Sequence, residues 1–308
     1  MKVLVATDKP FAAIAVAQIR EVVEKAGHTL ALLEKYKTPQ ELHEAVKDAD
    51  ALIVRSDIID ANVVKAASKL KIVVRAGAGY DNLDLDACTA GNIVAMNTPG
   101  QNSNAVAELA FGMMLYLARG GFDGKTGTEL RGKNLGIHAF GNVGRYVAGI
   151  AKGLGMNVYA FDPFVDAAAM RAAGVTPVNT VEELYTKCRY VSLHIPANDK
   201  TKKSIGTKLL SLMPSDAVLV NTARKEVINE EELVGLMEKR QDFKYLSDIA
   251  PDNAAVFAEK FAGRFFFTPK KMGAQTEEAN INAGVAAAKQ ITDFFATGNE
   301  TFRVNKKK

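Results

Sequence analysis

Residues 132–162 read Gly132-Lys-Asn-Leu-Gly-Ile-His-Ala-Phe-Gly-Asn-Val-Gly-Arg145, then a helical stretch to Gly155, then Asn157-Val-Tyr-Ala-Phe-Asp162. Strand, glycine turn, helix, strand and acid follow in the order that a dinucleotide site requires. Gly141 lets the backbone approach a pyrophosphate, and Gly144 lets the helix lie close on the strand. The helix start, with Asn142 and Val143, supplies free N–H groups and the positive end of a dipole. Asp162 stands 18 residues after Gly144, near the ~20 at which an acid meets the ribose hydroxyls. A carboxylate there repels a 2′-phosphate and so favours NAD over NADP. Ala139 occupies the first glycine position, which a tight turn accepts if φ is negative. Taken out of this context, the same small residues would also fit an ordinary strand–helix turn.

Outward from the turn, short β-branched runs alternate with helical patterns. Val3–Ala6, Leu52–Val54, Ile72–Val74 and Ile93–Ala95 are continuous apolar runs, the mark of buried parallel strands. Helical spacing covers Ala12–Ala26 and Glu41–Asp48, and Asp60 can cap Ala61–Ser68. A second series places strands at Leu135–Ala139, Val158–Phe161, Tyr190–Leu193, Ala217–Val220, Tyr245–Ser247 and Arg264–Phe267. Helices are expected at Val143–Gly155, Val181–Tyr185 and Asn229–Glu238. The fold class is therefore α/β, with two doubly wound parallel-sheet units. Asn97-Thr-Pro-Gly100 interrupts the pattern between them, and a long helix, Ser103–Arg119, follows. The last helix, about Thr276–Ala296, can pack on either unit, and Asn305 with three lysines reads as a solvated tail.

The 308 residues suffice for two cores, and 48% hydrophobic with 24% charged residues excludes wholesale disorder. The formal charge of +4 includes Lys306, Lys307 and Lys308. The rest is close to neutral, which argues against nucleic acid as a partner. Two distant cysteines, Cys88 and Cys188, make a structural metal site or a disulfide framework unexpected. The apolar run at the N-terminus is broken by Asp8 and Lys9, and no stretch has the length of a membrane span. A cytoplasmic protein with no membrane partner is expected.

Further motifs follow one another along the chain. They are Val54-Arg55-Ser56, Arg75-Ala-Gly-Ala-Gly-Tyr-Asp-Asn-Leu-Asp84, and Asn97-Thr-Pro-Gly-Gln-Asn102 followed by Ala107-Glu108. Gly127-Thr-Glu-Leu130, Ser192-Leu-His-Ile-Pro196, Asn221-Thr-Ala-Arg224 and Gly273-Ala-Gln-Thr-Glu-Glu-Ala279 complete the series. With these motifs in this order, the chain resembles the D-isomer-specific 2-hydroxyacid dehydrogenases over nearly its whole length. The resemblance implies a Rossmann NAD domain, residues 98–274, inserted into a flavodoxin-like substrate-binding domain made of 1–97 and 275–308, with a cleft between them. It carries cofactor contacts onto Ala139, Gly141, Asn142, Val143, Gly144, Asp162, Pro163, His194, Ile195, Pro196, Thr201, Thr222, Ala223 and Asp248. It also implies a homodimer joined through the NAD domain, although Gly120–Thr126 is shorter than the interlocking arm of longer members. The chain ends where longer members append regulatory domains, so feedback through such a domain is not expected.

A 2-hydroxy acid needs a cation and N–H donors for its carboxylate. Arg224 follows a buried strand, at the sheet end where ligands bind, and its planar fork suits a carboxylate. Gly77, Ala78 and Gly79 offer backbone N–H groups to the same anion. Arg55, with Ser56 beside it, and Arg75 each end a strand of the other domain. Their charges suit a second anion, such as a phosphate, and Asn102 joins them. Each arginine taken alone would equally fit a surface ion pair. A phosphorylated 2-hydroxy acid is the substrate class this set favours. The alternatives are a glyoxylate or hydroxypyruvate reductase and a catalytically silent NAD-binding regulator.

Most members carry Thr-Pro-His-Ile-Gly before the last helix, with the histidine as general acid–base and a glutamate beside it. Here the text is Thr268-Pro-Lys-Lys-Met-Gly273, and no histidine follows His194. Counting from Thr-Pro gives Lys270 as the substitute; counting back from Gly273 gives Lys271. The place of the glutamate falls on Asn253, with Asp252 one residue short. Loss of that carboxylate suits a lysine, because a nearby anion would hold its ammonium charged while Arg224 would depress its pKa. Some short members of the family carry lysine at this position.

Overall fold

The computed structural model describes residues 1–307. The chain divides into two compact units, one formed by Met1–Asn102 with the chain from Gln275 onward, the other by Ser103–Ala274.

The first unit is a parallel sheet of five strands. They are β1 (Lys2–Thr7), β2 (Thr29–Glu34), β3 (Ala51–Val54), β4 (Ile72–Arg75) and β5 (Val94–Asn97), in the order β2-β1-β3-β4-β5. Its interior strands are buried on both faces, which is why they read as unbroken apolar runs. The edge strand β2 carries the half-exposed pattern of Thr29-Leu-Ala-Leu-Leu-Glu34 and so lacks the continuous buried run that marks the others. The helix Glu277–Thr297 belongs to this unit, with Ala283, Ala287, Ala288 and Ile291 packed in one core with Phe11, Ile19 and Val23. Gly284 makes the close approach possible, since a Cβ there would stand 2.8 Å from Ile19 Cδ1.

The chain end departs from the expected solvated tail. Asn305 is 7% exposed; its Oδ1 accepts the Ala95 N–H at 3.0 Å and its Nδ2 donates to the Ile93 carbonyl at 2.9 Å. Val304 N–H donates to the Ala95 carbonyl. The free edge of β5 thus gains partners that a polar side chain can supply as well as another strand can.

The second unit has seven parallel strands: β6 (Asn134–His138), β7 (Asn157–Phe161), β8 (Thr176–Pro177), β9 (Tyr190–Leu193), β10 (Val218–Asn221), β11 (Lys244–Ser247) and β12 (Phe265–Phe267). Their order is β12-β11-β10-β9-β6-β7-β8. Chain direction across the sheet reverses between β6 and β9, the topological switch point where open α/β sheets bind ligands. The helix Ser103–Ala118, apolar almost all round, fills one side of this core with Ala107, Ala110, Phe111 and Met114. Among the described residues no helix is long and apolar enough to cross a membrane.

Candidate active site

Parallel strands deliver all their following loops to one sheet edge. In the second unit that edge carries, in spatial order, Thr268–Met272 after β12, Asp248 after β11, Thr222–Arg224 after β10, His194–Pro196 after β9, Ala139–Gly141 after β6 and Asp162 after β7.

At the glycine turn, Ala139 has φ +81°, so the expectation of a negative φ is overturned. The backbone needs the left-handed conformation whichever residue stands there, and alanine bears about 1–2 kcal/mol of strain. The helix Asn142–Gly153 follows, its first intrahelical bond running from Arg145 N–H to the Gly141 carbonyl. The N–H groups of Asn142, Val143 and Gly144 precede that bond and lack intrahelical acceptors. A Cβ on Gly141 would meet nothing within 4 Å, whereas one on Gly144 would come 2.5 Å from the Ala139 carbonyl oxygen. The two glycines therefore do different work: one leaves the approach open, the other seats the helix on the strand. Asp162 accepts the Phe140 N–H on Oδ2 and the Phe164 N–H on Oδ1, both at 2.8 Å. It fixes the turn and its own loop, and each oxygen keeps a further lone pair for a hydroxyl donor. Pro163 is exposed beside it.

Under the turn, the His138 ring packs edge-on against Tyr185 and its Nδ1 lies 3.2 Å from the Tyr185 hydroxyl. Burial lowers its pKa to about 4. His194 Nε2 lies 3.0 Å from Ser192 Oγ, and burial, with His138 adding to it, lowers its pKa to about 3. Both imidazoles are neutral near pH 7. Ile195 is buried and Pro196 exposed. Thr201 braces this loop, its hydroxyl donating to the Pro196 carbonyl at 2.5 Å and accepting the Asn198 N–H at 2.9 Å.

The catalytic candidates meet at the other end of the edge. Asn221 holds the Thr222–Arg224 loop from beneath: its Nδ2 donates to the Arg224 carbonyl and its Oδ1 accepts the Ala223 N–H, both at 3.0 Å. This bracing by Asn221 was not foreseen, although an asparagine closing a buried strand is a signal for it. Lys271 Nζ donates to the Ala223 carbonyl at 2.6 Å and lies 3.6 Å from Asp248 Oδ1. The Lys271 side chain is 40% exposed, yet desolvation of its ammonium, with Arg224 adding to it, lowers its pKa below the ordinary lysine value, against the opposing pull of Asp248. Lys270 is exposed, and its carbonyl accepts the Thr268 hydroxyl. The structure thus brings Lys271, and not Lys270, to Asp248 and the Arg224 loop. Thr222 Oγ1 and Asp248 Oδ1 are buried without a hydrogen-bond partner in the protein. Two orphaned polar atoms on the same sheet edge as an open helix N-terminus fit a polar cofactor laid along that edge.

In the first unit, Arg55, Ser56, Arg75–Gly79 and Asn97–Asn102 follow β3, β4 and β5 along one edge. Arg55 donates to the Lys9 carbonyl at 2.9 Å and to Asn280 Oδ1 at 2.6 Å, with its guanidinium over the Phe11 ring. Its charge therefore also ties the loop before the first helix to the last one. Arg75 Nε donates to the Arg55 carbonyl at 3.0 Å. Gly77 donates its N–H to the Arg75 carbonyl, so it is not the open donor that a substrate carboxylate was expected to meet. The Ala78 carbonyl accepts Asn97 Nδ2 at 2.7 Å, while Ser56 is exposed and Gly79 and Asn102 are half-buried.

Residues 110–264 match the model of the D-isomer specific 2-hydroxyacid dehydrogenase NAD binding domain, and the chain belongs to that family. The most informative relatives are phosphoglycerate dehydrogenases. A D-3-phosphoglycerate dehydrogenase of Methanocaldococcus jannaschii is 36% identical over 273 residues, covering 82% of this chain and 51% of the relative. One of Synechocystis is 35% identical, covering 82% and 48%. This chain spans about half the length of the curated relatives it matches. The crystal structure of NAD+-bound 3-phosphoglycerate dehydrogenase from Entamoeba histolytica is 51% identical, with a TM-score of 0.88 over 100% of this chain and 99% of that one.

Proposed function

We propose that the protein is a D-3-phosphoglycerate dehydrogenase, oxidising 3-phosphoglycerate to 3-phosphohydroxypyruvate with NAD at the entry to serine biosynthesis. The observation that carries this reading is the meeting of Lys271 with the Arg224 loop on an NAD-binding unit, together with the 51% identity to a phosphoglycerate dehydrogenase along the whole chain.

Asn142, Val143 and Gly144 offer N–H groups to the pyrophosphate, Asp162 accepts ribose hydroxyls, and Thr222, Asp248 and the His194–Pro196 loop face the nicotinamide end. NAD, when bound, supplies the hydride acceptor. Arg224 grips the substrate carboxylate and polarises the adjacent C2–O bond. Lys271, in its neutral form, takes the C2 hydroxyl proton as the C2–H electron pair departs; in the reverse direction its ammonium returns that proton. Arg55 and Arg75 hold the phosphate, with Ser56 and Asn102 shaping that end, while Ala78 and Gly79 offer backbone N–H groups to the carboxylate. The lowered pKa of Lys271 suits this task, since an ordinary lysine would be almost wholly protonated near neutrality.

We read the enzyme as a cytoplasmic homodimer joined through the NAD-binding unit. Leu115, just before the short Gly120–Thr126 segment, and Phe122, within it, are exposed apolar groups, and the two cysteines are free and buried, in keeping with a reducing compartment. Sedimentation of the purified chain tests the dimer.

The deciding assay is steady-state NADH oxidation with phosphohydroxypyruvate, repeated with glyoxylate. Turnover with the first at least about tenfold more efficient supports the reading; preference for glyoxylate makes the protein a keto-acid reductase. NADH binding without turnover of either compound makes it a regulator.

A further inference from the structure

The family pattern pairs the acid–base residue with a glutamate, and here its place is taken by Asn253. Asn253 does not face the lysine: its N–H donates to Glu230 Oε2 and its Nδ2 reaches the Glu230 carbonyl. Asp252 is turned away as well, its carboxylate held by Lys225 at 2.5 Å. The expectation of a lysine freed from any carboxylate is nonetheless overturned, because Asp248 Oδ1 stands 3.6 Å from Lys271 Nζ.

The geometry points to Asp248 as the positioning partner of Lys271, standing in for the missing glutamate from the neighbouring strand end. This inference rests on the reading of Lys271 as the acid–base group. Asp248 grips the lysine loop twice. Its Oδ2 accepts the Gly273 N–H at 3.1 Å, fixing the backbone two residues beyond Lys271. Its Oδ1 faces Lys271 Nζ at 3.6 Å and has no hydrogen-bond partner in the protein. Only glycine fits at 273, because a Cβ there would come 2.7 Å from Asp248 Oδ2. The Asp248 side chain is 1% exposed, so water screens the pair little on that side.

The groups facing Lys271 are Asp248 from the end of β11, Arg224 from the loop after β10, and Glu226 from the turn Lys225–Val227. Arg224 favours the neutral amine; Asp248 and Glu226 favour the ammonium. In the oxidative step the substrate hydroxyl proton moves to the Lys271 lone pair while the C2–H electron pair leaves with the hydride to NAD. Asp248 remains a carboxylate throughout and stabilises the ammonium that forms. Without Asp248 the lysine would be a weaker base and would lose its placement.

The test reads the lysine directly. In protein whose lysines carry 13C-methyl groups, the Lys271 resonance, assigned by its loss in Lys271→Met, is titrated by NMR without substrate. Asp248→Asn is expected to lower its midpoint by about 1–3 pH units, Asp248→Glu to bring it back toward the wild-type value, and Asp252→Asn to leave it in place. The pH limb of kcat should move in the same sense in Asp248→Asn, with NADH affinity followed separately by fluorescence. An unchanged midpoint in Asp248→Asn overturns the pairing. The underlying reading fails differently: a Lys271→Met enzyme that turns over at the wild-type rate removes Lys271 from the chemistry, and the role of Asp248 falls with it.

Discussion

The guanidinium of Arg75 occupies the space that a side chain on Gly77 would need: a Cβ at 77 would stand 1.5 Å from Arg75 Nη1. Gly77 also has φ +151°, so glycine is required there both for its backbone and for the arginine lying over it.

Gly77→Ala should therefore evict Arg75. On the phosphoglycerate reading, KM for phosphohydroxypyruvate rises about tenfold or more, the loss of one charge-assisted contact, while turnover of glyoxylate changes much less. Equal losses on both substrates would mean that Arg75 does not meet the phosphate.

Ala139 bears the cost of a left-handed backbone at the cofactor turn. Ala139→Gly removes that strain of about 1–2 kcal/mol but loosens the unfolded chain by about 0.4–1 kcal/mol. A net gain of several tenths of a kcal/mol is expected in chemical denaturation. Ala139→Val, β-branched at positive φ, should lose stability and NADH affinity together.

The two neutral histidines under the turn make the protein acid-sensitive. Their folded pKa values, about 4 for His138 and about 3 for His194, lie below the unfolded value near 6.5. Between pH 6.5 and 4 the unfolded chain binds protons that the folded chain does not. Stability is therefore full above pH 6.5 and falls on acidification, by up to about 1.4 kcal/mol per pH unit for each histidine. Thermal melts across that range should steepen accordingly, and His138→Asn should remove one proton's worth of the slope.

Asn305→Ala deprives Ala95 N–H and the Ile93 carbonyl of their partners. A loss of about 1–3 kcal/mol is expected, confined to the first unit. NADH binding, a property of the second unit, should survive it. An Asn305→Ala protein with unaltered unfolding would mean that water satisfies this edge equally well.

Both sheets were legible in the sequence because parallel strands leave a strong mark. Val3–Ala6 and Tyr190–Leu193 are buried along their whole length, so almost every residue in them is apolar. The edge strands β2 and β8 carry no such mark, and short helices such as Ala254–Lys260 are too brief to show a period. The glycine turn and Asp162 were legible because each is fixed by local backbone needs. The pairing of Lys271 with Asp248 was not, since it joins loops after two different strands and depends on which way a flexible side chain turns. Asn305 is hidden for a related reason. A lone asparagine before lysines has the composition of a tail, and only the strand edge beside it gives it work.

The discontinuity of the first unit also sets an order of events during synthesis. Its sheet is made by residue 97, but the helix Glu277–Thr297 that packs on one face and the asparagine that closes its edge emerge only after the whole of the second unit. The second unit lies wholly within Ser103–Ala274 and holds all its strands before that helix is made. On the ribosome the later-translated unit therefore completes itself first. The earlier one waits, with the Phe11, Ile19 and Val23 side of its core only partly covered, for the residues that follow Ala274, reversing the N-terminal-first sequence usual for multidomain chains.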